Sequence, residues 1–260
     1  MAVRPDGNAS IKRRLSGDWS ATQVGGAVPA HRTLAEKAFI SLHDAILTGT
    51  LRPGERIPIE DLASALELSP MPVREAIRRL DALGLVENIP HKGARVTELS
   101  IEDLREIYEA RLSLEPLAIA RAAQLFTPED EARAKELLAF MKSKEASPAA
   151  LWKAHSELHM CLYRASRSTW LVRLIQPPWE SSERYRHAMD TTVNGPRHFR
   201  NHEVLVGACV HHDPERAAAE LTNHLVATAN SLSGQLGGKQ LFSPVEGDRL
   251  TPLAMRLSLR

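Results

Sequence analysis

Four of the chain's eleven histidines fall where helices can bring them together. His155 and His159, in the run H-S-E-L-H, are spaced i, i+4, so both rings can face one point from a single helix. His202 and His224 lie on two later helical stretches. Imidazole suits zinc, nickel and other borderline divalent metals, and four imidazoles from three helices make a core site in an antiparallel bundle. Spacing alone is weak evidence and favours ordinary surface or core histidines, because His198 and His202 share the same interval and His211-His212 form another pair. A second set of residues is basic. Met71, Arg74, Glu75 and Arg78 project from the side of one helix opposite Val73, Ala76, Ile77 and Leu80. The planar fork of arginine fits guanine O6/N7 or phosphate. The alternative is a solvated helix face on which Arg74 and Arg78 pair with Glu75 or Asp81.

The elements that must carry these residues follow from period and punctuation. Leu34, Ala38, Leu42, Ala45 and Ile46 share a helical face that Gly49 ends, and LRPGERIP then reads as a Pro/Gly turn. A short helix starts near Ile59, with Leu62, Ala63 and Leu66 apolar. Glu67-Leu68-Ser69 is a tight turn, and a third helix runs from Pro70 to Leu83 with Ser69 as its expected N-cap. Gly84 stops it, and Leu85–Ile89 and Ala94–Thr97 read as two strands around the tip Pro90-His91-Lys92-Gly93. Helix, tight turn, helix, hairpin is the order of a winged helix-turn-helix, whose third helix enters the major groove. Arg52, Arg56, Lys92 and the backbone at Gly93 are then candidate phosphate or minor-groove contacts.

From Ser100 to Ser233 everything reads as helix, with breaks that predict 100–123, 128–143, 148–165, 168–190, 197–211 and 214–233. Ser100 with Asp103 and Thr127 with Asp130 read as capping boxes, and Pro177-Pro178 should interrupt or kink its helix. The expected organisation is a tail over 1–30, a DNA-binding domain over 31–99, a helical effector and dimerisation domain over 100–233, and a tail over 234–260. The fold class expected is mainly α: three helices plus a β-hairpin wing, then an all-helical antiparallel bundle.

Composition is that of an ordinary globular protein, with 43% hydrophobic and 25% charged residues. A net charge of +1 means that any DNA-binding surface must come from clustering of basic groups. Cys161 and Cys209 do not make a disulfide framework, no apolar run is long enough for a membrane helix, and the basic N-terminus has no apolar stretch behind it. A cytoplasmic setting without membrane association is expected.

The segment LTGTLRPGERIPIEDLASALELSPMPVREAIRRLDALGLVENIPHKGARV resembles the DNA-binding domain of the GntR superfamily, most specifically in S-P-M-P-V-R-E-A-I-R-R-L. The resemblance implies that Ser69, Met71 and Arg74 read DNA and that Lys92 and Gly93 belong to the wing. Many relatives have Arg and then Thr after the serine, where this chain has Pro70 and Met71. Residues 104–228 are similar to the FCD effector domain of the FadR branch, in Y-E-A-R-L-S-L-E at 108–115, H-S-E-L-H at 155–159, N-H-E at 201–203 and N-H-L at 223–225. That branch commonly holds a metal with one carboxylate and three histidines. The implied histidines are His159, His202 and His224, while His155 stands at the carboxylate position. Arg111 is implied to reach the same cavity and clamp a carboxylate, the alternative being an ion pair with Glu115 four residues on.

The expected function is a homodimeric transcription regulator, a repressor by preference, that binds double-stranded operator DNA and responds to a small carboxylate metabolite at a divalent metal, zinc first and nickel or another transition metal next. A metalloenzyme is the runner-up. Against it, there is no H-E-x-x-H motif, and Glu157 in H-S-E-L-H lies two residues from His155 and points elsewhere on the helix. A metal that is only a structural staple is the third reading.

Overall fold

The computed structural model describes residues 33–89, 93–143, 146–189 and 196–243, apart from the side chains at 196–199. The expected tail over 1–30 lies outside the described residues, as do Lys92 and the side chain of His198. The described residues are mainly helical and divide into two compact units. One takes the residues up to Leu99 together with Glu183–Ala188, and the other takes the rest.

In the first unit, α1 (Leu34–Leu47), α2 (Ile59–Ala65) and α3 (Pro70–Ala82) pack around one core, with β2 (Val86–Ile89) against α3. The apolar face foreseen for α3 is the buried one: Val73, Ala76, Ile77 and Leu80 are all at most 2% exposed. They meet Ala38, Leu42, Leu62 and Leu85. Each of the valine, leucine and isoleucine side chains among them contributes about 1.5–3 kcal/mol relative to an exposed one. Thr33 caps α1 by accepting from Glu36 N at 3.2 Å. Gly84, at φ 71°, ends α3 in the left-handed region that glycine enters without strain.

The wing differs from expectation. It is a three-stranded sheet of order β1-β3-β2, with β1 (Arg56–Ile57) pairing antiparallel to β3 (Gly93–Val96). LRPGERIP is therefore a turn that delivers a strand: Gly54 N donates to Val96 O and Val96 N to Glu55 O. Two residues between a Pro/Gly turn and Pro58 are too few to show a strand's alternation.

The second unit is a helical bundle of α4 (Ile101–Leu125), α5 (Pro128–Met141), α6 (Pro148–Arg164), most of α7 (Thr169–Ala188), α8 (Pro196–Val210) and α9 (Pro214–Gln235). α4 packs on α9, α6 and α8, and α5 packs on α6 and α8. Thr127 and Asp130 close a full capping box on α5, and Ser100 accepts from Asp103 N at the start of α4. Helix α7 runs unbroken through Pro177 and Pro178. The carbonyls of Arg173 and Leu174 lose their i+4 donors there, and both residues are exposed, so water can serve them. Beyond α9, the described residues up to 243 fold back on that helix. Asn230 Oδ1 accepts from Leu241 N and Phe242 N, and its Nδ2 donates to Phe242 O. None of the described helices is long and apolar enough to cross a membrane.

Candidate metal centre and DNA-reading helix

The buried stripe of α6 carries Leu151, Ala154, His155, Leu158, His159 and Leu162. Two imidazoles thus occupy positions where an amphipathic helix ordinarily places aliphatic side chains. α8 brings His202 and α9 brings His224 to the same point. One ring nitrogen from each of the four lies within 4.8 Å of all the others. His155, His159 and His202 are at most 1% exposed, and His224 is half-buried. His159 Nε2 approaches His202 Nε2 to 2.9 Å. Two ring nitrogens cannot both present lone pairs at that distance without a proton or a cation between them. The donor set therefore fits a divalent metal of borderline character, which four neutral imidazoles can ligate.

Aromatic and charged groups enclose the cluster. Trp179 of α7 stacks on His155 at 5.8 Å between centroids and lies 4.6 Å from His159. His159 Nδ1 is 3.2 Å from the Tyr163 hydroxyl, which donates to Glu115 Oε2 at 2.6 Å. Arg111, on the buried face of α4, donates from Nε to Glu115 Oε1 (2.6 Å), from Nη2 to Glu115 Oε2 (3.2 Å) and from Nη1 to Ser182 Oγ (2.8 Å). Its guanidinium also lies over the Trp179 and Tyr108 rings, at 4.5 and 4.9 Å. Of the two roles left open for Arg111, the structure shows the ion pair with Glu115. The fork meets a carboxylate one helical turn away, with side chains 3% and 0% exposed. Burial works against the Arg111 charge, but Glu115, with Tyr108 and Tyr163, more than offsets this and the pKa lies above the ordinary value. Burial, helped by the charge of Glu115, pushes the Tyr163 phenol well up. Glu157, the residue a metalloenzyme would want as base, is instead paired with Arg164 at 2.8 Å.

In the first unit, α3 presents its polar face outward. Met71 is 70% exposed, and Arg74 holds only a loose pair with Glu60 of α2, at 3.3 Å. Arg78 is exposed, and among the described residues no carboxylate holds it. Ser69 occupies the N-cap position but makes no side-chain cap bond, contrary to expectation. Pro72 at N3 removes one of the two N–H groups a capping side chain serves, and the Ser69 hydroxyl stays exposed at the helix tip. Arg52 and Arg56 are exposed. Arg56 lies directly across the sheet from Arg95, and its guanidinium reaches over Gly93 at φ 84°. Arg95 also pairs with Glu98 at 3.6 Å, which offsets part of the repulsion between two like charges in opposed positions. Arg95 was missed because β1, which brings Arg56 opposite it, was not foreseen.

A three-helix head with a sheet wing, followed by a helical bundle enclosing a histidine cluster, is the architecture of a DNA-binding transcription regulator with a separate helical domain. Two family models match: "Bacterial regulatory proteins, gntR family" over residues 34–96 and "FCD domain" over residues 106–227. The chain is 31% identical over 206 residues to the HTH-type transcriptional regulator BphR of Paraburkholderia xenovorans, covering 75% of this chain and 83% of that protein. It is 27% identical over 210 residues to the HTH-type transcriptional repressor GlaR of Escherichia coli, covering 76% and 94%. Among solved structures, Escherichia coli McbR/YncC superposes with a TM-score of 0.70 at 25% identity, over 79% of this chain and 99% of that one. The chain belongs to the GntR family and carries an FCD domain. The relatives are named as transcription regulators, not enzymes.

Proposed function

We propose that the chain acts as a homodimeric repressor whose operator affinity is set by a small carboxylate effector at a divalent metal, zinc in the first instance. His155, His159, His202 and His224 would hold the metal, and the metal would supply a positive centre that attracts an anion. The observation that carries this reading is the convergence of four imidazoles from three helices, three of them fully buried, in a domain of the FCD type. Two relatives are themselves named repressors, GlaR and the probable D-xylose utilization operon transcriptional repressor of Paenarthrobacter nicotinovorans. With no carboxylate among the four ligands, the bound metal keeps its double positive charge, which favours an acid as effector. Arg111 stays a candidate contact through the N–H groups that Glu115 and Ser182 do not take.

At the DNA, Ser69, Met71, Arg74 and Arg78 would face base edges, with Arg52, Arg56, Arg95, Lys92 and Gly93 on the phosphates. A dimer would place two copies of α3 on a palindromic site. A second reading is a purely structural metal, because four imidazoles already make the complete set of a closed tetrahedral site.

A thermal-shift screen of zinc-loaded protein against metabolic carboxylates and sugar acids separates the two. An effector present at about 100 times its dissociation constant stabilises the fold by roughly 2.7 kcal/mol. A hit that disappears in His159→Ala supports the sensor. Stabilisation by zinc with no response across the panel supports the staple.

A further inference from the structure

The ring cluster contains no carboxylate, yet a buried one stands two hydrogen bonds away. Glu115 is fully buried on α4, and Arg111 grips both its oxygens. A carboxylate held by a guanidinium offers only acceptors. The Tyr163 hydroxyl has a single proton and spends it on Glu115 Oε2, at 2.6 Å. Toward His159 Nδ1, 3.2 Å away, the same oxygen can therefore only accept. Nδ1 must then carry the hydrogen, and the lone pair of the ring sits on Nε2. That is the nitrogen that faces His202.

We propose that Glu115 and Tyr163 are positioning residues of the metal centre: they lock His159 in the Nδ1–H tautomer and present its Nε2 as ligand. The inference rests on the metal reading. Carboxylates behind metal-bound histidines fix ring orientation and raise ligand basicity. Here the carboxylate acts through a phenol, and both partners come from outside the ring set. Tyr163 is on the same helix as His159, one turn further on, and Glu115 is on α4. Arg111 takes part by fixing Glu115 rather than by touching the metal.

Tyr163→Phe deletes the hydroxyl and nothing else, and Glu115→Gln removes the charge. Both variants are made in the full chain. Two readouts are taken: zinc affinity by competition with a chromophoric chelator, and the tautomer of His159 in metal-free protein from its side-chain nitrogen-15 shifts, assigned with His159→Ala. Wild type should bind zinc and show His159 as the Nδ1–H form. Tyr163→Phe should bind zinc about 10–100-fold more weakly and lose the tautomer preference. Should Glu115→Gln fail to fold, Tyr163→Phe alone decides. The proposal is overturned if Tyr163→Phe keeps wild-type zinc affinity, or if His159 keeps its tautomer while only unfolding stability drops. A wild type that binds no zinc removes the metal reading itself, while the tautomer of the metal-free protein still tests the relay.

Discussion

At the scale of single residues, Arg111 and Glu115 carry the largest energetic stake. Their side chains are 3% and 0% exposed, so removing one leaves the other charged and without its partner in a dry core. Breaking such a pair costs about 3–5 kcal/mol, whereas replacing both residues by apolar ones of similar volume is often neutral. Arg111→Ala should lower the unfolding free energy, read from urea midpoint and slope, by that order, and Arg111→Met with Glu115→Leu by much less. The two cysteines are chemically quiet. Burial pushes the Cys209 thiol up to about 12, and Cys161 is raised by burial and then by Asp130 and Glu157. The thiolate is the nucleophile, so neither should react with Ellman's reagent at pH 8 until the protein is unfolded. Arg74 is the opposite case. Its exposed pair with Glu60 is worth under about 1 kcal/mol, so DNA can take it over at little cost. An arginine on a guanine edge contributes about 1–3 kcal/mol, so under the proposed function Arg74→Ala should weaken DNA binding about 5–150-fold at fixed salt. The histidine pair on α6 was legible because i, i+4 spacing is local. Tyr163 was not, since it acquires meaning only through Glu115, 48 residues away on another helix.

At the scale of elements, the helices could be read because their ends carry their own chemistry. Thr127, Asp130 and Pro128 start α5 where the capping pattern says, with both reciprocal bonds formed. Thr127→Ala should cost about 1 kcal/mol, measurable as a lowered urea midpoint with unchanged slope. The turn between α2 and α3 holds a strain that no pattern shows. Glu67 sits at φ 55°, a region that side chains other than glycine's enter at a cost. Glu67→Gly should therefore leave the head as stable or up to about 1 kcal/mol more stable, despite the entropy glycine usually loses. β1 escaped the sequence reading for a different reason. It is two residues long, and its existence depends on Gly54 and Glu55 bonding across to Val96. Ser69 reads as a capping serine by type alone. Pro72 at N3 withholds one of the two N–H groups that a cap serves, and the serine's type outweighed this in the sequence reading.

At the scale of the molecule, the chain joins a GntR head to an FCD domain, and the proposed function gives DNA to the first and a small molecule to the second. An effector need change operator affinity by only about 1–3 kcal/mol to switch a gene. The central claim is that the histidine cluster governs DNA binding. Fluorescence anisotropy on a duplex selected from a random library by the wild-type chain tests it most directly, run at one stated salt concentration. The titration uses zinc-loaded protein with and without the carboxylate found by thermal shift. Wild type should change its dissociation constant by about 5–150-fold on adding the acid, and His159→Ala should not respond. An equal response in His159→Ala, or none in wild type, would contradict the account.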